Sequence, residues 1–109
     1  MQVNNINTQN FNGGIFLPAG MESKLERNIY KILNHENKEI SAFSELIKKL
    51  GDIPNTNIRI VRKQGISNPL KDADFDVFIE NTTKQTQKIA TKGTSLAERF
   101  LNALYEVTK

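Results

Sequence analysis

The sequence contains no cysteine, which excludes a disulfide framework, a cysteine-ligated zinc finger and a thiol nucleophile. It has no tryptophan and a single histidine, His35, which lies in a polar stretch and is expected to be a surface residue. No run of about 18 apolar residues is present, so we expect no membrane-spanning segment. Residues 1–21 carry no charged side chain and lack the basic and apolar regions of a signal peptide.

The length of 109 residues suits one domain with its own core. Residues 1–12 contain seven Asn or Gln and no charge, which predicts a flexible N-terminal arm. A single α+β domain is expected over residues 13–109. We expect a cytoplasmic protein. Polar openings of this kind also occur in secretion signals of bacterial injection systems, so a secreted effector is the alternative.

Residues 74–80 have the pattern of a central β-strand. Phe75, Val77 and Ile79 fall on one face of an extended chain, while Phe78 lies with acidic residues on the other. Three large apolar side chains on one face predict a strand against which neighbouring strands pair and helices pack. Its acidic outer face is the feature that any functional interpretation has to explain.

The other elements give the order β-α-α-β-β-β-α. A short edge strand at residues 15–17 is followed by a helix over residues 22–34, and Asn37 is expected to cap a second helix. The apolar stripe of that second helix is Ile40, Phe43, Leu46, Ile47 and Leu50. Gly51 is expected in a left-handed conformation just after it. One bent helix over residues 22–50 would fit the same pattern.

Two further strands and a final helix complete the fold. Residues 58–62 alternate β-branched residues with arginine, and residues 85–91 are polar enough for a solvated edge strand. Ser95 and Glu98 have the spacing of a capping box at the start of the last helix. The predicted fold class is α+β, a small antiparallel sheet of three or four strands packed on one face by two or three helices. The other face is expected to stay open to water.

Nucleic-acid binding is one functional hypothesis, because positive charge flanks the acidic strand on both sides. The candidate residues are Arg59, Arg62, Lys63, Lys84, Lys88 and Lys92. Opposite charges pairing across neighbouring strands would account for most of this basic excess. The order helix, three strands, helix is similar to the double-stranded-RNA-binding domain, which implies contacts from the loop at residues 64–73 and from the start of the last helix. Only Lys92 supplies a lysine at that helix start.

Metal-dependent phosphate chemistry is another hypothesis. Asp74 and Asp76 lie about 6.5 to 7 Å apart on one strand face, so they could hold a hard divalent cation such as Mg²⁺. With Gly65 and Ser67 upstream, this spacing resembles the Gly-Ser and Asp-x-Asp signature of nucleotidyltransferases. The glycine and serine are not adjacent here, and no third carboxylate stands on a following strand. The competing interpretation pairs both aspartates with neighbouring cations such as Arg59, and it is the one we expect.

No complete catalytic set can be assembled from these residues, so we expect a non-enzymatic binding or interaction module. A protein partner is expected, and nucleic acid is the alternative ligand. No cofactor and no membrane association are expected. The sequence leaves the oligomeric state open.

Overall fold

The computed structural model describes residues 14–63 and 74–109 of the chain. The predicted arm at residues 1–12 lies outside the described residues. So does the predicted binding loop at residues 64–73, which contains Gly65 and Ser67. None of the described helices is long and apolar enough to cross a membrane.

The described elements follow the predicted order and confirm the α+β fold class. In chain order they are β1 (Ile15–Phe16), α1 (Glu22–His35), α2 (Ser41–Gly51), β2 (Thr56–Arg62), β3 (Phe75–Asn81), β4 (Thr86–Ala90) and α3 (Leu96–Val107). Residues 22–51 form two helices and not one bent helix. His35 is the last residue of α1 and is exposed, as expected.

The four strands form one sheet in the order β1-β2-β3-β4. The predicted strand at residues 74–80 is β3, which lies inside the sheet, while the polar strand β4 lies at its edge. β2, β3 and β4 are antiparallel, whereas β1 pairs with β2 in parallel, so the sheet is mixed. The two helices between β1 and β2 return the chain to the end of the sheet where β1 began, which makes the pairing parallel.

The core lies between one face of the sheet and the three helices. Ile58, Ile60 and Val77 are buried on that face, as the alternation along each strand requires. α3 packs against α1, α2 and β3, so it is the central helix of the layer. Its Phe100 is fully buried and meets Phe43 of α2 edge to face, with ring centroids 6.4 Å apart.

Asn37 ends α1 and does not cap α2, which corrects the sequence-based expectation. Its φ of 58° is left-handed, and the backbone N–H of Lys38 donates to the carbonyl of Leu33 at 2.8 Å. The N–H of Asn37 also donates to the carbonyl of Asn34, which completes a Schellman motif. Asparagine suits both a helix N-cap and a left-handed C-terminal position, and hydrogen bonding to α1 decides between them.

Two other expectations about α2 are wrong. Ile40 is the N-cap residue and is 53% exposed, because the helix begins later than predicted and the buried stripe begins at Phe43. Gly51 is the last helical residue and has no left-handed conformation. The chain continues past it with the N–H of Asp52 bonded to the carbonyl of Lys48, so no left-handed residue is needed there.

Candidate binding surface on the open face of the sheet

The open face of the sheet, opposite the helices, is built by the residues that alternate with the buried ones. Its described members are Phe16, Asn57, Arg59, Val61, Asp76, Phe78, Glu80, Gln87 and Ile89, together with Lys63 just after β2. Val61 is 38% exposed and Ile89 is 48% exposed, while Phe16 and Phe78 are half-buried. Large apolar side chains therefore stand on a face that no described element covers.

Strand register aligns four of these residues in one row across the sheet, called here the cross-strand row. Phe16 pairs with Arg59, Arg59 with Phe78, and Phe78 with Ile89. Neighbouring strands lie about 4.8 Å apart, so the row spans roughly 14 Å. The guanidinium carbon of Arg59 lies 4.4 Å from the ring centroid of Phe16, within cation–π range. The row thus consists of ring, guanidinium and aliphatic surface.

The charged residues beside the row are paired with one another. Nε of Arg59 donates to Glu80 at 2.9 Å, and Gln87 donates to the same carboxylate oxygen at 2.6 Å. Partial burial raises the pKa of Glu80, but the hydrogen bonds from Gln87 and Arg59 outweigh this effect and lower that pKa overall. Nζ of Lys63 lies 3.7 Å from Asp76. Arg59 and Lys63, the two cations on the open face within the described residues, therefore each have a carboxylate beside them.

The six cations predicted for nucleic-acid binding do not share one surface. Arg59 and Lys63 lie on the open face. Arg62, at the end of β2, is two residues after the buried Ile60 and therefore lies on the opposite face, towards the helices. Lys84 is in the exposed β3–β4 turn. Lys88 and Lys92 are found on the side of β4 that faces α3.

Around α3, a second charged region forms at the C-terminal edge of the molecule. Nζ of Lys88 donates to Glu106 at 2.6 Å, and this hydrogen bond lowers the pKa of Glu106. The charges of Lys92 and Lys109 add to that effect. Lys88 thus pairs with Glu106 and not with Asp74 or Asp76.

The two aspartates predicted as metal ligands differ in their surroundings. Asp76 is in β3 beside Lys63, whereas Asp74 precedes the strand and its carbonyl accepts the N–H of Lys63 at 2.8 Å. Arg59 pairs with Glu80 and not with either aspartate. Within residues 14–63 and 74–109, no group of three or more His, Cys, Asp or Glu could hold a metal ion. Metal binding at Asp74 and Asp76 stays a hypothesis, and its absence stays the prediction.

The sequence placed Phe78 on the outer face of its strand. It did not indicate that Phe78, Phe16 or Ile89 belongs to a binding site. Alternation within each strand carries part of the signal, because it shows which side chains leave the core. The row itself depends on the register between strands, which a single sequence does not reveal.

No protein-family model, curated protein or solved structure matches this chain.

Proposed function

We propose that this chain is a non-enzymatic binding module that contacts a protein partner through the open face of its sheet. The observation that carries the proposal is the cross-strand row, in which two phenylalanines, one arginine and one isoleucine line up across four strands. Phenylalanine and arginine are both enriched in protein interfaces relative to the rest of the surface.

The surroundings of the row support a protein ligand. Protein interfaces combine an apolar centre with a polar rim, and here the ion pairs Arg59–Glu80 and Lys63–Asp76 supply polar groups beside Phe78. The side chain of Arg59 is held between Glu80 and the ring of Phe16, so less conformational entropy is lost when a partner binds.

The charge of the open face favours protein over nucleic acid. A phosphate backbone gains affinity from cations that replace condensed counterions. Arg59 and Lys63 have carboxylates at 2.9 Å and 3.7 Å, so a phosphate would have to compete with Glu80 and Asp76. A protein partner, which offers groups of both signs, can contact these pairs without separating them.

Two exposed isoleucines provide a matched test. A photocrosslinking residue at position 89 lies on the open face, whereas one at position 40 lies at the start of α2, and the two native side chains are 48% and 53% exposed. We expect position 89 to crosslink a specific protein and position 40 not to do so. The captured partner would be identified by mass spectrometry, purified and titrated against the variants by calorimetry.

With the purified partner, Phe78→Glu and Ile89→Glu should each weaken binding by about tenfold or more, because each buries a charge in an apolar contact. Ile40→Glu should leave the affinity unchanged. Equal crosslinking from positions 40 and 89 would contradict the proposal. Crosslinks to RNA at position 89, with affinity that falls steeply between about 50 and 200 mM salt, would replace it with nucleic-acid binding.

A further inference from the structure

A cavity of about 300 Å³ lies at one end of the sheet, away from the cross-strand row. The turn after β1, the first half of α1, the end of β2, the start of β3 and the first turn of α3 surround it. Its floor consists of the buried apolar side chains Leu25, Phe75, Leu96 and Ala97. Such a floor excludes water from an apolar ligand and favours its binding.

One wall of the cavity is a tight turn. The N–H of Met21 donates to the carbonyl of Pro18 at 3.3 Å, and Gly20 has a φ of 81°. A positive φ at the third residue of a four-residue turn is typical of type II, and glycine adopts it without steric cost. The turn positions Ala19 at the rim, where it is exposed.

The polar rim of the cavity carries positive charge. Lys24 of α1 and Arg62 of β2 both line it, with the half-buried amide of Asn28 beside them. Arg62 is paired in register with Phe75, so the two residues are neighbours on the same face of the sheet at this end of the cavity. None of the described lining residues is acidic. A guanidinium has five N–H donors, so Arg62 can bind a ligand carboxylate in addition to its contacts within the protein.

We propose that this cavity binds a small amphipathic carboxylate. The apolar chain of the ligand lies against Leu25 and Phe75, and its carboxylate meets Arg62 and Lys24. A cavity of about 150 Å³ accepts benzene, so twice that volume takes a ligand of about a dozen heavy atoms. This inference is independent of the proposed protein interface, because the cavity and the cross-strand row share no residue.

Octanoate at concentrations below its micellar range is a suitable probe, compared with 1-octanol and octylammonium of the same chain length. In ¹H–¹⁵N spectra, octanoate should cause saturable shifts at Met21, Leu25 and Ala97. We expect octanol to bind about tenfold more weakly or worse, because the charge-assisted hydrogen bonds are missing. Octylammonium should be weaker still, because it meets two cations.

Arg62→Gln and Lys24→Gln should each weaken octanoate binding by about tenfold and leave octanol binding unchanged. Lys31→Gln removes the same charge from an exposed position of α1 that does not line the cavity, so it should have no effect. Lys24 is exposed, so its variant is expected to fold even if Arg62→Gln does not. Equal affinity for octanoate and octanol, or octanoate binding unchanged in Lys24→Gln, would overturn the proposal.

Discussion

Among the three described helices, only α3 has a side-chain hydrogen bond that caps its start. The carboxylate of Glu98 accepts hydrogen bonds from the hydroxyl of Thr94 at 2.6 Å and from the N–H of Ser95 at 3.1 Å. The hydroxyl of Ser95 accepts the N–H of Glu98 in return. Gly93 has a φ of +120° and lies close to Glu98, so that a Cβ at position 93 would be 2.7 Å from the Cβ of Glu98. Glycine at position 93 is therefore part of this terminus.

These contacts make Glu98 one of the residues through which the stability of the protein depends on pH. The hydrogen bonds from Thr94 and Ser95 hold the pKa of Glu98 below its ordinary value of 4.5. The ionised carboxylate therefore stabilises the fold at neutral pH, and this contribution is lost as the pH falls from 4.5 through the lower pKa of the folded state. Glu98→Gln should lower the urea midpoint at pH 7 and have a smaller effect at pH 3.

Glu45→Gln is the matched control, because it removes the same charge from an exposed position of α2. An equal loss of stability for Glu98→Gln at pH 7 and at pH 3 would show that the carboxylate charge does not matter at this terminus.

The capping box at Ser95 could be predicted because all of its atoms lie within four residues. Asn37 could not be assigned correctly, since the sequence shows an asparagine between two helical patterns and both helix ends accept that residue type. The deciding interaction is the 2.8 Å hydrogen bond from Lys38 to Leu33. The role of a residue can thus be predicted where its local sequence pattern fits only one structure, as at Ser95, and not where it fits two, as at Asn37.

At the scale of the element, α2 offers a test of how burial determines what a side chain contributes to the free energy of unfolding. The N-cap residue Ile40 and the helical residue Ile47 are the same residue type, but Ile40 is 53% exposed and Ile47 is 8% exposed. Ile47→Ala should cost about 2 kcal/mol or more, because it leaves a cavity in the core. Ile40→Ala should change the free energy of unfolding by less than about 0.5 kcal/mol. Urea denaturation of both variants gives the comparison.

If Ile40→Ala costs as much as Ile47→Ala, position 40 belongs to the buried stripe after all. The 3.6-residue period predicted the buried face of α2 correctly from Phe43 onward. It could not set the first turn, because an apolar residue at position 40 fits the period whether or not the chain is already helical there.

At the scale of the whole molecule, the open face results from how the strands pair. The sequence predicted three antiparallel strands and an exposed face, because alternation and turn residues are local signals. The alignment of Phe16 with Arg59 required β1 to lie parallel beside β2, and this contact joins residues that are distant in sequence. The same distance explains why the cavity at the end of the sheet left no readable pattern, since five separate elements line it.

The parallel pairing of β1 also has a consequence for the order of folding. Ile15 pairs with Ile58 across both α1 and α2, so closing this segment costs loop entropy before any contact is gained. We expect β1 to dock after the folding transition state. Ile15→Ala should then speed unfolding and change the folding rate less than about twofold, whereas Val77→Ala in β3 should also slow folding. Both side chains are fully buried, so chevron plots of the two variants are directly comparable.

Equal slowing of folding by both substitutions would place β1 in the folding nucleus. If β1 docks late, Phe16 joins Arg59 and Phe78 only in the last step of folding. Chains that have not reached that step then lack a complete cross-strand row, so the surface proposed as the interface is completed only when the shortest strand docks.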